Sequence, residues 1–120
     1  MKGAGSLGTY QDRLSTQRAL IERGAARMAE ICRGLEDVRA VYAFGSYARG
    51  AVRLRSDLDV LVVRETSLRR AERDLDIRRV FDVPVGLDLL VVTPAEYENE
   101  LPATAIGRTM IAEAIRLDAT

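Results

Sequence analysis

The chain contains no histidine, a single cysteine (Cys32) and, among its 18 basic residues, a single lysine, Lys2. The absence of histidine and the solitary thiol argue against a zinc site. Cys32 has no internal disulfide partner and no imidazole to activate it, so it is expected to be a small buried apolar residue. The near-absence of lysine reads as coding composition before any choice of guanidinium. Net charge is missing as well, because 18 acidic residues cancel the 18 basic ones. The overall balance therefore gives no reason to expect nucleic acid or an anionic membrane as partner. No apolar run approaches the roughly 20 residues that cross a bilayer, and Met1 to Gly8 is too short and too polar for the apolar segment of a secretory leader. A soluble, cytoplasmic protein is the expectation.

What is present suits one globular domain: 120 residues, 48% of them hydrophobic, enough for a single core. Residues 1–10, with the glycine-rich GAGSLG of Gly3 to Gly8, are expected to be flexible, and 11–120 to form the domain. From Gln11 to Leu35, Leu14, Ile21, Met28 and Leu35 recur every seven residues, with Gln17, Gly24 and Ile31 between them. This spacing predicts an amphipathic helix ending near Gly34 or Leu35 whose stripe packs on the core.

Three short runs rich in β-branched residues follow: VRAVYAF (Val38 to Phe44), DLDVLVV (Asp57 to Val63) and GLDLLVV (Gly86 to Val92). Each reads as a strand. Leu68 to Val80 reads as a charged helix whose arginines alternate with Glu72, Asp74 and Asp76, a solvated face rather than a nucleic-acid surface. Thr93, Pro94 and Glu96 have capping-box spacing and predict a short helix, and Thr104 to Leu117 predicts a terminal one. The fold class is α/β (α+β), a small mixed sheet with helices packed on it.

Two of those strands carry carboxylates where apolar residues are expected. Side chains alternate along a strand, so Asp57 and Asp59 share one face while Leu58 and Val60 point to the other. Two carboxylates a few Å apart repel, and a divalent cation is the simplest species that makes the pair favourable; hard oxygen ligands suit Mg²⁺. If the second and third strands are neighbours, Asp88 joins the same face. Three carboxylates around two metal ions suit phosphoryl transfer. Upstream, Gly45 and Ser46 should open a short helix through Tyr47, Ala48 and Arg49, where backbone amides, the Ser46 hydroxyl and the Arg49 guanidinium can meet a phosphate. Arg53 and Arg55 read equally well as solvated loop or as phosphate or partner contacts. Tyr47 reads as a packing residue.

Gly45-Ser46, ten intervening residues, Asp57-x-Asp59 and a later Asp88 together resemble the signature of the DNA polymerase beta-like nucleotidyltransferase superfamily. GSYARG and SDLDVLV resemble its minimal nucleotidyltransferase (MNT) branch most closely, over roughly Ala40 to Val92. The resemblance implies that Asp57 and Asp59 bind both Mg²⁺ ions, that Asp88 is the third carboxylate, and that Gly45 and Ser46 hold a nucleoside triphosphate, ATP by default; Asp88 is then expected to be a metal ligand and the general base, and Arg49 to join the nucleotide site. It also implies a helical HEPN-type partner, with the chain as the antitoxin of a toxin–antitoxin pair that transfers AMP to a hydroxyl of the toxin. Two alternatives stand beside this: a contact antitoxin without catalysis, and the catalytic subunit of a small-molecule, aminoglycoside-type nucleotidyltransferase. Larger relatives complete the acceptor site with a second domain, so a homo- or hetero-oligomer is expected here. No residue reads the base.

Overall fold

The computed structural model describes residues 8–118, so the glycine-rich start expected to fray lies, up to residue 7, outside the described residues. Helix α1 (Tyr10–Arg33) begins at Thr9, whose hydroxyl accepts from the Asp12 amide while Asp12 reaches back to the Thr9 N–H, a reciprocal cap that satisfies two of the free donors of the first turn. Its seven-residue stripe lands as the spacing predicts: Ile21 and Met28 are fully buried, and Leu14 and Leu35 pack against the same core.

Strands β1 (Val38–Phe44), β2 (Leu58–Arg64) and β3 (Leu87–Val92) fall on the three predicted runs. With β4 (Ile115–Arg116) they form one mixed sheet in the order β3-β2-β1-β4. The pairs β1–β2 and β1–β4 are antiparallel, and β2–β3 is parallel. Period-two alternation then sorts the side chains. Leu58, Val60 and Val62 face Ile21, Met28 and Cys32 of α1 and Ile77 of α3 (Leu75–Val80). Leu61 and Val63 face the opposite way, toward Tyr97, Leu101 and Met110. The sheet is therefore the middle of three layers.

Two predicted helices are shorter than their sequence patterns. Leu68 to Val80 is not continuous: a 3₁₀ turn at Arg70–Glu72 precedes α3. The reason is tertiary. Arg73 is buried and folds back to donate to the Leu68 carbonyl (2.8 Å) and to Glu96 (2.7 Å), and Asp76 pairs bidentately with the buried Arg64 (2.8 and 2.7 Å). Charges that read as a solvated face are in part internal anchors, with their burial compensated by full pairing. At the other end α4 (Ala105–Glu113) stops one residue, Ala114, short of Ile115–Arg116, which pair with Ala43 and Tyr42 on the free edge of β1. The Leu117 amide donates to Val41 O at 2.8 Å, and Asp118 accepts from the Val41 amide at 3.2 Å, which fixes this strand in place of the last helical turn. The Thr93–Glu96 capping box forms as expected and leads into a π-helical turn, Glu96–Glu100.

Candidate active site

The carboxylates are placed by the parallel β2–β3 pair. The Leu58 amide donates to the Gly86 carbonyl at 2.8 Å, which brings Asp57 beside Gly86, and the register sets Asp59 directly opposite Asp88. Asp57 and Asp88 are exposed, and Asp59 is half-buried. Burial pushes the Asp59 carboxyl up to about 6; its hydrogen bond with Asp88 and the charges of Asp88 and Asp57 push the same way, against the nearby Arg49. An ionised Asp59 is thus held at a cost that a cation would remove, and the oxygen-only donor set fits a hard divalent ion. Among the described residues no three acidic, histidine or cysteine side chains are grouped closely enough to hold a metal ion as they stand. The three aspartates lie along one end of the sheet, two of them in contact and the third beside Gly86.

Gly45 closes β1 and starts α2 (Gly45–Ala48) with φ of +73°, a left-handed conformation that suits glycine. A Cβ at this position would also collide with the Asp59 carboxylate. The turn therefore lies against the carboxylate end of the sheet. Helix α2 is a single turn with no side-chain cap, so it offers backbone amides more than a summed dipole. The Ser46 hydroxyl is 3.1 Å from that of Ser56, which accepts from the Arg53 amide at 2.7 Å; the Ser56 carbonyl accepts from Gln17 of α1 at 2.7 Å.

This chain of bonds pins the loop between α2 and β2. Ser56 and Gln17 are site-supporting residues that sequence reading left unassigned. The available signals were a serine directly before Asp57 and a polar residue inside the buried stripe of α1. Arg49, Arg53, Arg55, Ser46 and Ser56 line one polar cavity of about 330 Å³. Arg49 also bonds Glu113 at 3.1 Å.

The profile of the nucleotidyltransferase domain family matches residues 25–113, which include every carboxylate and turn residue above. The chain belongs to the nucleotidyltransferase domain family. Among solved structures, the fold is similar to that of a candidate nucleotidyltransferase from Sulfolobus solfataricus: 21% identity over 91% of this chain and 88% of that one, with a TM-score of 0.61. A toxin-antitoxin structure with AMP-PNP aligns at 19% identity over 82% of this chain and 73% of that one, with a TM-score of 0.48, too low to bear on function. No curated protein sequence matches.

The remaining candidates of the nucleotidyltransferase sort simply. Cys32 is buried and its thiol is pushed up to about 12 by desolvation, which makes it inert. Tyr47 packs against the main core, as expected. Among the described residues no helix is long and apolar enough to cross a membrane.

Proposed function

We propose that this nucleotidyltransferase moves a nucleoside monophosphate, AMP from ATP, to a hydroxyl of a HEPN-type partner protein, as the antitoxin of a toxin–antitoxin pair. The observation that carries nucleotidyl transfer to these residues is the β2–β3 register, which sets Asp59 opposite Asp88 with Asp57 on the same side and the Gly45–Ser46 turn against Asp59. The choice of partner rests on the resemblance of GSYARG and SDLDVLV to the minimal branch.

Each side chain then has a task. Ser46, Arg49 and the amides of α2 take the triphosphate tail, with Arg53 and Arg55 adding charge to the same cavity. Asp88, exposed on β3, faces the incoming acceptor and takes its hydroxyl proton as the oxygen bonds to the α-phosphorus and the bond to pyrophosphate breaks. Asp57, Asp59 and Asp88 would hold Mg²⁺, and the chemistry the ion supplies when bound is neutralisation of the triphosphate charge.

Incubation of the protein, alone and with the product of its neighbouring gene, with each of ATP, CTP, GTP and UTP plus Mg²⁺, followed by intact mass of every protein, tests this reading. A gain of one nucleotide on the partner, absent with Asp57→Asn, is expected. Tight complex formation with no mass gain would favour a contact antitoxin, and transfer only to a small hydroxylated acceptor would favour the aminoglycoside-type reading.

A further inference from the structure

A second cavity of about 380 Å³ opens on the other side of Arg49 and is lined mainly by apolar side chains, Phe44 at the end of β1 and Ala105, Ile106 and Met110 on α4, with Thr109 among them. The Arg49–Glu113 pair stands at its polar side. Phe44 is the register partner of Asp59, so the cavity lies next to the carboxylates on the β1 side, whereas Asp88 lies on the β3 side. We propose that this cavity is the nucleobase subsite, taking the ring of the donor nucleotide by burial against Phe44, Ile106 and Met110. The inference rests on the nucleotidyl-transfer reading above.

Three observations select this occupant over the acceptor. In an in-line displacement the attacking and leaving oxygens lie on opposite sides of the phosphorus. With Asp88 receiving the acceptor's proton, the β3 side belongs to the acceptor and the β1 side, where Ser46 and Arg49 stand, to the leaving pyrophosphate; the acceptor is thereby kept from the cavity beside Phe44, and the nucleoside, carried on a third oxygen of the phosphorus, is free to enter it. Next, Arg49 lines both this cavity and the polar one beside Ser46. A ligand spanning the two would need one strongly anionic part and one flat apolar part, which describes a nucleoside triphosphate. Finally, Ile106 is 78% exposed, an apolar wall with nothing packed on it.

That wall is rigid. A Cβ at Gly107 would collide with the Leu101 carbonyl, so α4 sits directly on the preceding turn, and Thr104 caps its first turn by accepting from the Gly107 amide at 3.0 Å. The cavity is preformed, and its volume is within the usual range for small-ligand pockets, roughly 300–1,000 Å³. With Thr109 and Glu113 as the polar side chains besides Arg49, recognition relies on ring burial more than hydrogen-bond readout. Purines should bind above pyrimidines, without strict selection of one base.

The test compares ATP with inorganic tripolyphosphate, each with Mg²⁺, on the full chain carrying ¹³C-methyl methionine. The chain has three methionines: Met1, Met28 and Met110. Both ligands should bind, ATP about tenfold or more tighter because of the buried ring. Only ATP should move the Met110 methyl signal, with the fully buried Met28 unmoved. Thr109→Phe, at an exposed position that fills the cavity, should bring ATP affinity down to that of tripolyphosphate without changing the latter, and Ile106→Ala should give part of that loss.

Equal affinity for the two ligands, or a Met110 signal that stays fixed at ATP saturation, would overturn the subsite while leaving the triphosphate site standing. So would a Thr109→Phe protein that binds ATP normally but no longer modifies its acceptor, since the cavity would then be the acceptor's. Failure of both ligands to bind would overturn the subsite together with the nucleotidyl-transfer reading on which it rests.

Discussion

Gly86 stands where any side chain would strike the Asp57 carboxylate: a Cβ built on it falls far inside van der Waals contact of Asp57 Oδ1. The obstructed atom is the end of an exposed, flexible side chain, so the protein can yield by swinging Asp57 aside. Gly86→Ala should therefore leave thermal stability within ~0.5 kcal/mol of the parent, as surface changes usually do. Transfer should fall by about 100-fold, the scale of a 1 Å misplacement at a reacting centre. Parent-like turnover in Gly86→Ala would remove Asp57 from the site.

Asp59→Asn separates stability from chemistry. The folded-state pKa of Asp59 is raised to about 6, chiefly by burial and by Asp88, so the ionised form costs stability above that pH. The cost fades as pH falls through 6 toward the ordinary value of 3.8. In metal-free buffer the Asn variant should melt a few degrees higher than the parent at pH 7.5, a gain of at most ~1 kcal/mol after solvent screening. Near pH 4 the two should melt together, and transfer should be abolished throughout. A lower melting point at pH 7.5 would show that Asp59 is not under repulsion.

Asp88 and Ser46 are predicted to fail in different ways. Asp88→Asn removes the proton acceptor and should lower kcat by about 100-fold or more with little change in KM, whereas Ser46→Ala should act mainly on KM for the nucleotide. Steady-state kinetics with nucleotide as the varied substrate would reveal the split. Equal effects on KM from both variants would make Asp88 a binding residue.

Ser56 ties Ser46 and the Arg53 amide together. Ser56→Ala should cost about 1 kcal/mol of stability through these lost hydrogen bonds and raise KM for the nucleotide. Gln17→Ala, acting only through the Ser56 carbonyl, should give a smaller shift in the same direction. An unchanged KM in both would mean that the loop holds its shape without them.

Glu96 gives an acid limb. Arg73 first, then the Thr93 amide and Arg70, pull its carboxyl from 4.5 down to about 2. A depressed folded-state pKa contributes stability that is complete above about 4.5 and is lost as pH falls through about 2. Glu96→Gln should therefore lower the melting temperature at pH 7, with the difference from the parent closing between pH 4.5 and 2. A difference independent of pH would assign the loss to packing alone.

The parts of the fold that follow one-dimensional periodicity were legible in the sequence, and those set by distant partners were not. The stripe of α1 and the three long strands carry their signals in neighbouring residues, and Asp57, Asp59 and Asp88 stand out because a carboxylate interrupts an otherwise apolar run. The β2–β3 adjacency that unites them was a conditional expectation, met by the parallel register. Strand β4 is two residues long and takes its conformation from the edge of β1. Arg73 breaks a helical pattern because its partners, Val91 O and Glu96, lie about twenty residues away. The cavity beside Phe44 joins that residue to α4 across some sixty positions, a pairing no local pattern encodes.

Strands β1 and β2 have bonded neighbours on both sides, β2 along nearly its whole length and β1 on its outer side only at Tyr42 and Ala43, while β3 and β4 each have one. Amide deuterium uptake should thus be slowest in the strand that carries Asp59, and the sheet should breathe from its two margins inward. A molecule loosened at one margin loses the alignment of Asp88, and at the other the support of the C-terminal strand, while Asp57 and Asp59 remain aimed. Under the proposed function such a half-open form would keep two of the three carboxylates in place without the base, so partial damage to the sheet would leave the protein silent rather than misdirected.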